Sequence, residues 1–192
     1  MFGSGIANYR KQTSKRYVSS VFQGMYKKEI FDKIGLLDEK VGRVEDNELH
    51  YRIRKNGYKI RYSNDILSYQ YTRPTVNRML KQKYSNGYWI GKVSHVYPKA
   101  FSIFHFVPFV FVLGIIFSLL ILPLTKLFAV LLAIAYGLFT ILVTLMTIIN
   151  NKFNATMLLT PILLFLVHFS YGVGTLVGLV KGFSWKKEYH KE

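Results

Sequence analysis

Four charged residues in the first half of the chain have types and spacing that could do chemistry. Glu45 and Asp46 are adjacent, Glu48 follows, and Arg52 lies four residues after Glu48. A carboxylate held where a loop meets a helix can take the proton from a hydroxyl and so act as a general base. An acidic pair in this position more often only caps the helix and complements its dipole. Both interpretations stay open from these residues alone.

Short helices and strands are predicted around these acids. Residues 17–22 are β-prone and predict a strand, and residues 59–72 alternate well enough for one or two more. Residues 28–34 have helical spacing with Gly35 as the stop signal. A second helix is predicted over residues 46–55, with Leu49, Ile53 and Tyr51 on its buried side.

A longer helix is predicted from Pro74 to about His95, with the proline in its first turn. It carries both aromatic and basic residues, which suit the head-group zone of a membrane. An ordinary amphipathic helix that packs on the soluble part of the chain explains the same pattern. The two interpretations carry equal weight.

Three stretches of the second half contain no Asp, Glu, Lys or Arg: residues 100–125, 127–151 and 153–180. Each exceeds the length of about 20 residues that a helix needs to cross a bilayer. Membrane helices are therefore predicted at about 100–122, 125–149 and 157–180. In the last one Ser170, Gly174 and Gly178 recur every fourth residue, a spacing that lets helices approach closely. Packing within the chain is preferred over dimerisation as the reason.

The chain carries a formal net charge of +16, most of it in the first half. Basic segments beside membrane helices stay on the cytoplasmic side and are attracted to anionic lipid. Nucleic acid is the other usual partner of such charge, but no nucleic-acid module is recognisable, so it is not expected. The absence of cysteine excludes disulfides and thiolate zinc sites.

An ordered set of motifs resembles the acceptor-side half of family 2 glycosyltransferases of GT-A fold. The set comprises Gly24 after a strand, the turn at residues 35–39, the Glu45–Leu49 run, Arg52 and Gly57. The closest likeness is to membrane-bound members that build bacterial exopolysaccharide, of the succinoglycan-synthase type.

The resemblance implies roles for particular residues. Asp46 would be the general base that deprotonates the acceptor hydroxyl, which attacks a nucleotide sugar with inversion. Glu45 and Glu48 would share its cleft, where a like charge raises the pKa of a carboxylate. Gly24 would keep the floor of the acceptor site open. A further group, matching the family's Gln-x-x-Arg-Trp motif only in part, would bind the acceptor or its phosphates: Gln82, Lys83 and Trp89.

The nucleotide-binding half that precedes this region in the family has no counterpart here. The sequence contains no Asp-x-Asp metal motif, so no cofactor site is expected in this chain, and Mg²⁺ or Mn²⁺ is expected only in the complete enzyme. The chain would then be a carboxyl-terminal portion that is inactive alone and needs an amino-terminal half as partner. A non-catalytic membrane-anchored remnant or assembly subunit is the alternative.

The resulting prediction is a partial α/β GT-A domain over residues 1–73, an interfacial helix over 74–99, three membrane helices within 100–180 and a basic tail over 181–192. The expected partners are membrane lipid, a nucleotide sugar and a lipid-linked glycan, and the expected location is the bacterial inner membrane. With the soluble half in the cytoplasm, three full spans would put the tail outside, so Ser184 would be accessible from outside and Ser4 would not.

Overall fold

The computed structural model of the protein describes residues 17–21, 24–63, 65–66 and 73–191. Within these ranges the chain is mostly helical, with a small sheet near its start. The strands and α-helices are β1 (Tyr17–Val18), α1 (Lys28–Ile34), α2 (Glu45–Lys55), β2 (Ile60–Arg61), α3 (Val76–Val93), α4 (Val107–Leu120), α5 (Leu127–Ile149) and α6 (Thr160–Tyr189). Short 3₁₀ turns cover Pro98–Ala100, Ile103–Phe106 and Ala155–Leu159.

The helix boundaries follow local signals in the sequence. Helix α1 ends as predicted at Gly35, whose φ of 81° is a left-handed value that glycine adopts easily. Helix α3 begins later than predicted because Thr75 is its N-cap: the Thr75 hydroxyl accepts the backbone N–H of Arg78 at 3.3 Å. Pro74 therefore lies before the helix rather than in its first turn.

The predicted α/β layer is represented by one small antiparallel sheet. Strands β1 and β2 pair with Tyr17 opposite Arg61 and Val18 opposite Ile60. Residue 22 and residues 67–72, which belong to the predicted strands, lie outside the described part of the chain. A two-stranded sheet of this size does not establish half of a GT-A domain, whereas the helical membrane region is present.

Two buried clusters hold the first half together, and α2 contributes to both. In one cluster the predicted residues Leu49 and Ile53 pack with Val18 and Ile60 of the sheet. The other joins the loop before α2 to α3, α6 and the segment before α4. Its buried members are Val41, Val44, Ile90, Val93, Ala100 and Phe101. The half-buried Tyr51 packs against this second cluster, so α2 is fixed on two sides.

Helix α3 packs along the second half of α6, and the two helices run in the same direction. The Ser170 hydroxyl donates to the Leu80 carbonyl at 2.9 Å, and Gly182 at the other end lies against His95. A Cβ built at Gly174 or Gly178 would lie 2.2 or 2.0 Å from a backbone carbonyl of α3. The small residues predicted to permit close packing thus do so within the chain, and their partner is α3 rather than another apolar helix.

We expect Gly178→Ala to separate α3 from α6 and to lower the melting temperature of the detergent-solubilised protein by several degrees. The added methyl group would meet the Tyr88 carbonyl, which as backbone cannot rotate away. The matched control is Gly137→Ala in α5, because a Cβ there meets nothing within 4 Å. Alanine favours a helix over glycine, so the control should melt at the same temperature or higher. Equal melting of both variants would contradict the close approach.

The carboxyl-terminal end of α6 reaches the loop between α1 and α2. The Tyr189 hydroxyl donates to a carboxylate oxygen of Asp38, and the Tyr97 and Tyr189 hydroxyls lie 2.6 Å apart. The Lys40 ammonium donates to the Tyr189 carbonyl at 3.4 Å. With 30 residues at about 1.5 Å each, α6 is about 45 Å long, more than the bilayer core of about 30 Å. Its end is thus long enough to project beyond the bilayer.

This contact conflicts with the expectation that the tail lies across the membrane from the soluble half. Three helices are long and apolar enough to span a membrane: Ile103–Leu120, Leu127–Ile149 and Ala155–Tyr189. Three straight crossings would separate Tyr189 from Asp38, and these two residues are hydrogen-bonded. Apolar length alone could not show that the last helix ends against the loop of the first half. The contact predicts an even number of crossings between these two residues, whereas three full spans predict an odd number.

We expect single cysteines at Lys55 and Lys187 to react alike with a membrane-impermeant maleimide on intact cells, either both labelled or both protected. The parent chain has no cysteine to interfere, and both positions are exposed. Position 4 lies outside the described residues, so Lys55 represents the soluble half. Labelling after detergent lysis checks that both thiols are reactive. Labelling of one site alone on intact cells would mean an odd number of crossings.

Candidate functional site

The loop that leads into α2 has an unusual backbone at Val44. Its φ of 71° is left-handed, which is a rare value for a β-branched residue. The Val44 side chain is buried. Val44 is the N-cap of α2, and it makes no side-chain capping bond. Asp46 is therefore the second residue of the helix and not its N-cap as predicted, but Glu45 and Asp46 both lie in the first turn, where they complement the helix dipole as the structural interpretation predicts. Glu45 is exposed.

The Asp46 carboxylate is half-buried and only lightly hydrogen-bonded. One of its oxygens accepts the backbone N–H of Asn47 at 2.8 Å and the Asn47 side-chain amide at 3.1 Å. Burial raises the pKa of Asp46, and backbone hydrogen bonds partly oppose that rise. The direction agrees with the expectation from sequence, but its cause is desolvation rather than a neighbouring carboxylate. A base that is held in its less stable charged form is more ready to take a proton.

His50 lies one helical turn after Asp46 and is almost completely buried, with 1% of its surface exposed. Ser20 Oγ lies 2.9 Å from Nδ1 of its ring, and Tyr26 Oη lies 2.7 Å from Nε2. Burial, with a smaller contribution from Arg54, lowers the pKa of His50 to about 4. His50 is therefore neutral near pH 7 and links the hydroxyl groups of Ser20 and Tyr26.

The Tyr26 hydroxyl, which is hydrogen-bonded to His50, lies close to Gly24 and within the electrostatic influence of Asp46. A Cβ at Gly24 would lie 2.6 Å from Tyr26 Oη, so only glycine lets the hydroxyl pack this close to the backbone. Burial raises the pKa of Tyr26, and the negative charge of Asp46 adds to the rise, as expected for neighbouring groups. Gly24, Tyr26, Asp46 and His50 thus form one cluster, called here the Asp46 site. Sequence reasoning missed Tyr26 and His50, although the four-residue spacing from Asp46 to His50 is a signal for one helix face.

Glu48 has a structural partner in Arg52. Its carboxylate is fully buried and accepts two hydrogen bonds from the guanidinium, one of them at 2.8 Å. The remaining N–H groups of Arg52 donate to the backbone carbonyls of Ile34, Gly35 and Leu36. The pair therefore ties α2 to the end of α1 and to the loop that carries Asp38. A catalytic role for Glu45 or Glu48 stays a prediction.

Gln82 lines a basic concavity on the surface beside α3. It is shallow and open to solvent, with a volume of about 290 Å³, and the lining residues are Arg43, Arg73, Arg78, Lys81, Gln82 and Ser85. Among the described residues that line it, none is acidic. This concavity is called here the basic concavity. One of its lining residues, Arg43, lies only three residues before Asp46 in the sequence.

Trp89 lies in the second buried cluster. A Cβ at Gly42 would lie 2.7 Å from the Trp89 ring, so the indole packs directly on the loop before α2. The Lys92 ammonium lies 4.7 Å from the Trp89 ring and 4.9 Å from that of Trp185 on α6. Trp89 thus holds the loop, α3 and α6 together, while acceptor binding by Trp89 or by the half-buried Lys83 stays a prediction.

A divalent metal has no ligand set in the described ranges, because no three His, Asp or Glu side chains converge there. The residues present therefore do not fit the Mg²⁺ or Mn²⁺ expected in the complete enzyme.

One comparison with known proteins identifies a relative of defined activity. The chain is 29% identical, over 167 residues, to a dolichyl N-acetyl-alpha-D-glucosaminyl phosphate 3-beta-D-2,3-diacetamido-2,3-dideoxy-beta-D-glucuronosyltransferase from Methanococcus voltae. The match covers 86% of this chain and 49% of the relative, so the chain spans about half the relative's length. No family model and no solved structure matches the sequence. The similarity supports a glycosyltransferase relationship over most of the chain.

Proposed function

We propose that this chain is the acceptor-binding and membrane-anchoring portion of a family 2 glycosyltransferase. The complete enzyme would transfer a sugar from a nucleotide sugar to a lipid-linked glycan, with inversion at the anomeric carbon. The observation that carries the proposal is the Asp46 site, a half-buried carboxylate near two neutral polar groups and a glycine against which the Tyr26 hydroxyl packs. The relative supports it, since that enzyme's name specifies a sugar acceptor carried on dolichyl phosphate.

In the proposed reaction the acceptor hydroxyl attacks the anomeric carbon of the donor. The new bond joins the acceptor oxygen to that carbon, the bond from carbon to the diphosphate oxygen breaks, and the nucleoside diphosphate leaves with the electron pair. Asp46 takes the hydroxyl proton, because its raised pKa makes it a stronger base than an exposed carboxylate. Tyr26, held by His50, lies beside Asp46 and offers a hydroxyl to orient the acceptor.

The finer assignments belong to the same proposal. The nucleotide donor and any Mg²⁺ or Mn²⁺ would be bound by a GT-A half outside this sequence, and the product would belong to bacterial exopolysaccharide or a related surface glycan. The soluble half would face the cytoplasm, where nucleotide sugars are made, and the basic residues around the membrane helices favour that side.

The test is a transfer assay on membranes that contain the complete transferase of which this chain forms part. Labelled nucleotide sugars are supplied with a short-chain polyprenyl phosphate that carries one N-acetylglucosamine. We expect label to enter the organic phase with that acceptor and not with free N-acetylglucosamine. Absence of transfer from every nucleotide sugar, with the protein inserted and folded, would favour the alternative of a non-catalytic membrane subunit.

A further inference from the structure

The basic concavity gathers four cationic side chains on the surface between α3 and the loop before α2. Arg43 comes from that loop, Arg73 from the segment before α3, and Arg78 and Lys81 from the first turns of α3. Like charges repel, so a cluster of this kind costs free energy unless an anion or solvent neutralises it. Guanidinium groups are the preferred partners of phosphate, because their planar N–H groups match its oxygens.

Two of these guanidinium groups are held in place by amides of α3. Arg43 Nε donates to the Asn86 side-chain oxygen at 2.6 Å, and Arg73 Nε donates to that of Gln82 at 3.4 Å. Each bond uses one N–H group and leaves the terminal nitrogens of the guanidinium for another acceptor. Gln82 and Asn86 are four residues apart and so share a face of α3. The half-buried bond to Asn86 therefore fixes Arg43, whereas the long, exposed bond to Gln82 orients Arg73 only weakly.

The basic concavity adjoins a second groove that reaches an apolar helix. This groove, of about 410 Å³, is lined by Asn77, Leu80, Lys81, Tyr84 and Ser170, and Lys81 lines both. Ser170 belongs to the stretch of residues 153–180 that contains no charged side chain. A ligand with a phosphate in the basic concavity thus has an adjoining path for an apolar chain towards the membrane helices. A soluble nucleotide has no apolar chain to place in that groove.

We propose that the basic concavity binds the phosphate of the lipid that carries the acceptor, with the lipid chain in the groove beside Ser170. The proposal rests on the proposed function and names its substrate class. Arg43 and Asp46 are three residues apart, so their Cα atoms are separated by at most about 11 Å. This upper bound keeps the two residues within the reach of one acceptor, and we expect one sugar to separate the bound phosphate from the attacked hydroxyl. The concavity would hold the phosphate while Asp46 meets the hydroxyl.

The test measures binding by this chain in a neutral detergent, with no sugar donor present. Farnesyl phosphate is the probe, and farnesol and inorganic phosphate are its two halves. We expect micromolar binding of farnesyl phosphate and at least tenfold weaker binding of each half. Arg73→Gln with Arg78→Gln should weaken binding of the probe at least tenfold. The matched control, Lys186→Gln with Lys187→Gln at the exposed end of α6, removes the same charge and should change nothing.

Each other outcome overturns the proposal. Farnesol binding as tightly as farnesyl phosphate would mean an apolar groove without a phosphate site. Inorganic phosphate or uridine diphosphate binding as tightly would mean a site for free phosphate or a nucleotide. An equal loss in both double variants would mean attraction by net charge, and melting curves check that all variants fold. The assay contains no donor, so its failure leaves the transfer activity untouched.

Discussion

Asp46→Asn should reduce sugar transfer by about 10²–10⁴-fold in membranes that contain the complete transferase, because a hydroxyl is a poor nucleophile without a positioned base. Asparagine keeps the size and the hydrogen-bond acceptor of the aspartate side chain but cannot take a proton. Initial rates with saturating acceptor measure the loss. The matched control is Asp32→Asn on the exposed side of α1, which removes the same charge and should transfer at the parental rate. A parental rate in Asp46→Asn would place the base elsewhere.

The stability of the same variant separates a catalytic role from a structural one. Burial raises the pKa of Asp46 above its value in the unfolded chain. The folded state then binds this proton more readily, so the contribution of Asp46 to stability is fully present below its unfolded pKa and lost as pH rises through its folded pKa. Near neutral pH the charged carboxylate therefore costs stability. Asp46→Asn should melt at the parental temperature or above it, whereas loss of a structural carboxylate would lower that temperature.

The raised pKa also sets the pH dependence of the parental enzyme. Asp46 acts as a base only when it is ionised, so transfer should fall as pH drops through its raised pKa, above the usual range of an aspartate. His50 contributes nothing to this acid limb until pH approaches 4, because its pKa is lowered to about 4 by burial. A profile of rate against pH, controlled for enzyme stability, measures the limb. A limb at pH 6.5, the ordinary value for histidine, would contradict these assignments.

Local sequence signals were sufficient to predict the helices of the first half and the apolar segments of the second. Gly35 and Gly57 end α1 and α2 with φ values of 81° and 82°, and each was recognisable as a stop from its type and position. The buried side of α2 followed from the spacing of Leu49 and Ile53. Such features depend on a few neighbouring residues, which the sequence displays directly.

The contacts that define the candidate site join residues far apart in the chain. Ser20 and Tyr26, from the segment before α1, contact His50 on α2. A lone histidine in a sequence does not reveal such partners. The tail contact between Asp38 and Tyr189 joins residues from the two ends of the chain, so apolar length alone does not predict it. Close packing at Gly174 and Gly178 was predicted, but only the structure identifies α3 as the partner.

Arg52→Met should destabilise the packing of α2 on α1 by about 3–5 kcal/mol, because it leaves the Glu48 carboxylate buried without its partner. Arg52 itself is 18% exposed at its side chain, so water replaces part of the interaction and the lower end of that range is expected. At about 1.4 kcal/mol per tenfold, the backbone amides of α2 should exchange with deuterium about 100-fold faster or more. Lys55→Met, an exposed cation on the same helix, is the matched control and should exchange at the parental rate.

The double variant Glu48→Leu with Arg52→Met distinguishes a buried charge from lost packing. Removing both partners leaves no buried carboxylate, and an apolar pair of similar size is often no less stable than a buried ion pair. We therefore expect the double variant to recover most of the protection that Arg52→Met alone loses. Full recovery is not expected, because the carbonyls of Ile34, Gly35 and Leu36 lose the N–H donors of Arg52. If the double variant were less protected than Arg52→Met, the pair would act through these carbonyls rather than through its charge.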